Sequence, residues 1–278
     1  MANWNKLGTR GRVRDMRGIS GGTAAGGGIV GLILLVGVTY FSGGDPLAAV
    51  LENPEVAQSA LQQVTGSQSS GLTDAEAQQF AGEDSYEVFV STVLGSTNEY
   101  WRTQLGNYRE PTLVLFRGST RSGCGGAVSY TGPHYCPADN TIYLDETFFE
   151  ELETKLGARG GDVAEAYVIA HEVGHHIQNI TGQLGGRRTN EASVAVELTA
   201  DCYAGLWANS IRDQGVFEPG EIAEAQNAAE AVGDDSIQKR TSGVVQPESW
   251  THGSSEQRLA AFNLGYEGGS LARCNDAY

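Results

Sequence analysis

The chain is short of the residues that most often carry metal or redox chemistry. Its four cysteines include no CxxC pair, so a thiolate-only zinc site lacks its usual spacing. No internal repeat is visible, and only five histidines are present. Positive charge is scarce as well: 18 basic residues stand against 34 acidic ones, a net charge of −16. Five of those bases, Lys6, Arg10, Arg12, Arg14 and Arg17, lie in the first 17 positions beside a single acid, Asp15. That piece carries +4, and the remainder −20. So acidic a body repels phosphates, which excludes a nucleic-acid partner.

Long apolar runs are also lacking, with one exception. Gly18 to Gly44 is free of charge, and its most apolar portion runs from Ile29 to Phe41. Thirteen strongly apolar residues suit a signal-peptide core, whereas the Ala/Gly extension back to Thr23 approaches the ~20 residues a membrane-spanning helix needs. No small-x-small cleavage site follows Phe41, so an uncleaved anchor is expected; a buried globular helix fits poorly beside so many glycines. The basic flank predicts an amino terminus held in the cytoplasm, with everything after residue 44 exported. The expected organisation is a basic cytoplasmic segment (1–22), a transmembrane anchor (23–44), a Gln/Ser/Ala/Gly-rich flexible stalk (45–84) and one folded domain (85–278).

Export suits disulfides better than free thiols or a four-thiolate metal site. Of the three possible pairings, Cys124 with Cys136 and Cys202 with Cys274 is the natural one, because the first two are close in sequence across a hairpin. Within the domain, residues 86–105 have helical spacing, and Pro111 to Phe116 is a short apolar strand. Ala127 to Tyr130 and Thr141 to Leu144 read as two strands joined by a Gly/Pro turn. Helical patterns dominate from Asp145 onward. Strands first and helices afterwards predict an α+β fold: a small antiparallel sheet followed by a helical core.

Three of the five histidines fall within six residues, in AHEVGHHIQNITG. Val168, Ile169, Val173, Ile177 and Ile180 recur at near-helical spacing, so the stretch is a buried helix. Asp162 is its expected N-cap, with Glu165 completing a capping box, and Gly182 is its stop. His171 and His175, four apart, share one face and can share one metal ion. Glu172 is offset by roughly 100° and cannot easily ligate, but it can reach a water on the same ion. This is the HExxH arrangement of zinc peptidases. A third ligand is then needed. A second helix beginning near Asn190 carries Glu197 and Asp201 four apart; Glu197 can complete a His₂Glu site, and Asp201 can hold the free ring nitrogen of His171.

Other readings of these residues exist. A structural zinc could use the same three ligands, which would make the chain a zinc-stabilised, non-catalytic binding or scaffold module at the cell surface. Structural sites usually close with four protein ligands, however, and such a module has no use for Glu172. An intramembrane protease is excluded, since the motif lies over 120 residues beyond the sole apolar segment. His176 faces away from His171 and reads as a packing residue. His252 sits in THGSSEQRLAAF, just before a capping-box start at Ser254 and Gln257. There it is either a donor to a tetrahedral oxyanion or an ordinary loop histidine; His134 and Tyr135 are weaker cases of the same kind. The sequon at Asn179 lies inside the buried helix and reads as accidental.

Four stretches, AHEVGHHIQNITG, ELTADCYAGLWA, SGCGGAVSYTGPHYCPADNTIYLDETFFEEL and THGSSEQRLAAF, together with RDMRG near the start, resemble the bacterial family called putative neutral zinc metallopeptidases. The resemblance implies a membrane-anchored protein with a gluzincin-like fold, Zn2+ held by His171, His175 and Glu197, and Glu172 as catalytic base. It also marks His252 as a functional position. The expected partners are a peptide or protein substrate, entering along the Thr141 to Leu144 strand, and the membrane.

Overall fold

The computed structural model describes residues 1–17, 85–128, 132–154, 156–185 and 189–278. The expected anchor (23–44) and stalk (45–84) lie outside the described residues. Among the described residues no helix is long and apolar enough to cross a membrane.

The strands are β1 (Val13–Asp15), β2 (Thr112–Phe116), β3 (Ser119–Ser122), β4 (Gly125–Val128), β5 (His134–Cys136) and β6 (Thr141–Asp145). A helix, α1 (Ser85–Gln104), precedes β2, and α2 (Thr147–Thr154) follows β6. After these come α3 (Asp162–Ile180), α4 (Asn190–Ile211), α5 (Ile222–Ala231), α6 (Asp234–Thr241), α7 (Ser255–Tyr266) and α8 (Leu271–Ala277). The α+β class therefore holds.

The main sheet has the order β1-β2-β6-β5. It is mixed rather than antiparallel: β1, β2 and β6 run parallel, and only β5 runs against its neighbour. The strand through Thr141 to Leu144 is accordingly interior, and β5 is the edge. Nor does the Ala127 strand pair with it; β4 instead forms a two-stranded antiparallel hairpin with β3, and Ser129 and Tyr130 lie outside the described residues. These pairings are long-range, and local turn signals could not report them.

Alternation along the strands explains why PTLVLF is apolar throughout. Leu113 and Leu115, with Ile142 and Leu144 of β6, join the large core shared with α1, α3 and α4. Val114, Phe116 and Tyr143 point to the other face and pack with Ala127 and Cys136. The disulfide Cys124–Cys136 ties the β3–β4 turn to the edge strand β5, and Cys202–Cys274 ties α4 to α8, both as paired from sequence.

The amino-terminal segment is the largest departure from expectation. Residues 1–17, expected to stand apart from the domain, belong to the same compact unit as residues 85–278. Asp162 departs too: Gly161 is the N-cap of α3, and the Asp162 carboxylate accepts from the Ala2 backbone N–H (2.8 Å) and Trp4 Nε1 (2.7 Å). Thr189 caps α4, its hydroxyl accepting from the Ala192 amide. The Ser254–Gln257 capping box of α7 forms as expected.

Candidate metal centre

Two helices build the site. α3 presents His171 and His175 one turn apart, with ring centroids 4.7 Å apart and planes nearly perpendicular. α4 lies against α3 where Gly174 removes a side chain: a Cβ there would sit 3.0 Å from the Cα and carbonyl oxygen of Ala200. That close approach brings Glu197 to the histidines. His171 Nε2 lies 3.2 Å from Glu197 Oε2, and His175 Nε2 lies 3.4 Å from Oε1. Tetrahedral ligands at about 2.05 Å from zinc are separated by about 3.3 Å. Each imidazole thus lies about that far from one Glu197 oxygen, and the three donor atoms lie within 4.8 Å of one another; among the described residues this is the one group of three that could hold a metal.

Each imidazole is oriented by its other nitrogen. His171 Nδ1 donates to Asp201 Oδ1 at 2.8 Å, and His175 Nδ1 donates to Gln178 Oε1 at 2.9 Å. Gln178 in turn donates to the carbonyl of Val196 (2.7 Å), the residue before Glu197, and so locks α3 to α4 beside the triad. Both Nε2 lone pairs are thereby left for a cation. Asp201 is fully buried and takes four donors: His171, the Tyr167 hydroxyl (2.6 Å), and Arg258 through Nε (2.8 Å) and Nη2 (3.0 Å).

Charge reinforces the geometry. Burial works against protonating His171, yet Asp201 and Glu197 outweigh it and push its pKa up to about 10. His175 is raised for the same reason, chiefly by Glu197. Glu197 is held well below the usual carboxylate range, since the two imidazoles overcome its desolvation. Asp201 falls to about 2, with Arg258 and His171 prevailing over burial. A field that holds protons so firmly between these groups equally favours a divalent cation.

Glu172 is buried at 6% exposure and lines the same cavity, of about 550 Å3, as the triad. Its Oε2 has no hydrogen-bond partner among the described residues. His252 lines this cavity from the far side, half-exposed. Asp234, at the start of α6, fixes its loop: Oδ2 accepts the backbone N–H groups of Thr251, His252 and Gly253 at 2.7 to 3.0 Å, and Oδ1 lies 3.2 Å from His252 Nδ1. Phe148, Leu156, Val168, Val232 and Ile237 give the cavity an apolar stretch of wall.

The structure thus gathers Glu172, His171, His175, Glu197 and His252 around one cavity, with Asp201 buried behind His171. His134 and Tyr135 also line it. His176 does not: it is buried, donates to the Arg109 carbonyl (2.5 Å), and its other nitrogen meets the Tyr135 hydroxyl (3.0 Å). Burial lowers its pKa, as suits a neutral packing residue. Tyr167, Gln178, Asp234 and Arg258 went unnoticed in the sequence. Tyr167 and Gln178 carried a usable signal, lying four before His171 and three after His175 on the same helical face; the others carried none.

Comparison with known proteins agrees with this geometry. The chain is 42% identical over 286 residues to the uncharacterised protein YpfJ of Escherichia coli (strain K12), covering 95% of this chain and 94% of that one. It is also 43% identical over 195 residues to the uncharacterised protein Rv2575 of Mycobacterium tuberculosis, covering 65% and 67% respectively. No solved structure matches. The profile of the family described as "Putative neutral zinc metallopeptidase" matches residues 2–277, and the chain belongs to that family.

Proposed function

We propose that the chain is a zinc-dependent peptidase that hydrolyses peptide bonds outside the cytoplasm, with Glu172 as general base and His252 as a donor to the oxyanion. The observation that carries this reading is the buried Glu172 carboxylate lining the same cavity as the His₂Glu cluster. A structural zinc site or a binding module has no use for a carboxylate there, whereas a general base needs that position.

Bound by His171, His175 and Glu197, zinc would supply Lewis acidity, polarising a scissile carbonyl and making water a nucleophile at neutral pH. Glu172 takes the proton of the attacking water and passes it to the leaving amine. His252, steadied at Nδ1 by Asp234, offers Nε2 to the negative charge that develops on the carbonyl oxygen. Asp201 and Gln178 keep the two imidazoles in the tautomer that leaves Nε2 for the ion. The edge strand β5 lies at the cavity and gives an extended peptide a backbone to pair with. The apolar wall suits an apolar side chain next to the cleaved bond. Two disulfides support an oxidising, extracytoplasmic setting.

The test is Glu172→Gln. The variant is expected to keep its zinc and to lose hydrolysis of a denatured protein mixture by ~100-fold or more. Undiminished, chelator-sensitive hydrolysis by that variant would exclude the mechanism.

A further inference from the structure

The basic start of the chain reads in sequence as a cytoplasmic flank, but the fold uses its charges and its backbone. β1 pairs in parallel with β2, Val13 to Asp15 beside Leu113 to Leu115. The Leu113 amide donates to the Arg12 carbonyl (2.9 Å), and the Met16 amide to the Leu115 carbonyl (2.8 Å). Upstream, the Gly11 amide donates to the Ser91 carbonyl (2.7 Å), and Ser91 Oγ donates back to the Gly11 carbonyl (2.9 Å). The fit to α1 is close: a Cβ on Gly95 would fall 2.6 Å from the backbone of Arg10.

The basic side chains follow the same course. Arg17 donates to Asp15 and, at 2.6 Å, to Glu146, which sits just before α2 and also pairs with Arg117. Arg10 reaches the Thr92 hydroxyl (2.5 Å), and Arg12 the Glu110 carbonyl (3.1 Å). Trp4 packs edge-on to Phe89 and Phe217, and donates to Asp162 at the head of the metal-site helix α3. Without β1, the apolar strand β2 would be an open sheet edge, which proteins cover or charge.

We propose that residues 1–17 are a built-in partner strand of the metal-binding domain, so that the basic amino-terminal segment and residues 85–278 lie on the same side of any membrane the chain meets. Backbone hydrogen bonds at 2.7–2.9 Å cannot form across a hydrocarbon layer about 30 Å thick. Such an arrangement is incompatible with an amino terminus and a domain on opposite faces of a membrane, the topology expected from the basic flank. Arg17 ion-pairs with Asp15 and Glu146, while Arg10 and Arg12 hydrogen-bond to neutral oxygens of the domain, so these side chains hold the segment to the fold. This inference does not depend on zinc or on hydrolysis.

The test uses the full chain with one epitope inserted after Gly22 and another after Tyr278, probed with a membrane-impermeant protease in spheroplasts before and after lysis. Both epitopes are expected to respond alike, either both digested before lysis or both only after it. Digestion of one while the other stays protected overturns the proposal. A second measurement guards against misfolding of the tagged chain: a protease site placed between Gly66 and Ser67 is cut in the purified protein. The amino-terminal fragment is expected to co-elute with the domain, and Gly95→Val combined with Arg17→Ala to raise the released fraction at least tenfold. Release of that fragment from the otherwise unaltered protein, without denaturant, also overturns it.

Discussion

Asp201→Asn probes the site through a residue that is not itself expected to touch the ion. Asp201 is fully buried and Arg258 is 4% exposed, so removing the carboxylate charge leaves a buried guanidinium with only the more distant Glu197 carboxylate, 3.9 Å away. Breaking a buried pair in this way costs about 3–5 kcal/mol. His171 also loses the anion that orients it, which weakens metal binding about 10–100-fold, or about 1.4–2.7 kcal/mol. Arg258→Met is a control with a different signature. It destabilises the metal-free fold by a similar amount, yet leaves the Asp201 charge behind His171 with less opposition, so zinc affinity is maintained. In the double variant both buried charges are gone, and part of the stability returns, a coupling of at least about 1 kcal/mol. Urea denaturation of the metal-free proteins and zinc competition against a chromophoric chelator measure the two quantities separately. Wild-type zinc affinity in Asp201→Asn, or strictly additive stability losses in the double variant, would refute the reasoning.

Glu165 is pushed up to about 7, chiefly by burial, so the folded protein holds a proton that the unfolded chain releases near pH 4.5. Its contribution to stability is complete below that pH and is lost as pH rises through 7, by up to about 3 kcal/mol. Urea melts at pH 5 and pH 8 should therefore show Glu165→Gln gaining on the wild type as pH rises; a pH-independent difference would contradict the assignment. The Cys202–Cys274 bridge spans 72 residues, and its loss in a paired serine variant should cost about 4 kcal/mol by chain entropy, read as a lower urea midpoint. His252→Ala should lower turnover about 100-fold with zinc content unchanged, a split that metal analysis beside steady-state kinetics will reveal.

The legible parts of this protein were those written in local spacing. His171 and His175 on one helical face, Glu197 and Asp201 on another, and the Ser254–Gln257 cap all follow from periods of three and four. The disulfide pairing followed from proximity in sequence and held. Contacts between distant segments were another matter. Arg258 reads as one more polar residue of α7, and its place under Asp201 depends on how α7 packs on α4. Asp162 has the residue type and position of an N-cap, but its carboxylate is taken by Ala2 and Trp4, some 160 positions away. The strand order failed for the same reason: β6 lies between β2 and β5, while the hairpin signal near Ala127 belongs to a separate pair. A basic stretch beside an apolar run has a ready local explanation, and nothing near it names Glu146 or Leu113 as partners.

Zinc K-edge absorption of the loaded protein, wild type against Glu197→Ala, tests the centre most directly. The account predicts two imidazole nitrogens, one carboxylate oxygen and a water oxygen at about 2.0–2.2 Å with no sulfur, and loss of the carboxylate contribution together with weakened binding in the variant. An unchanged spectrum in Glu197→Ala, or a closed shell of four protein ligands in the wild type, would contradict it.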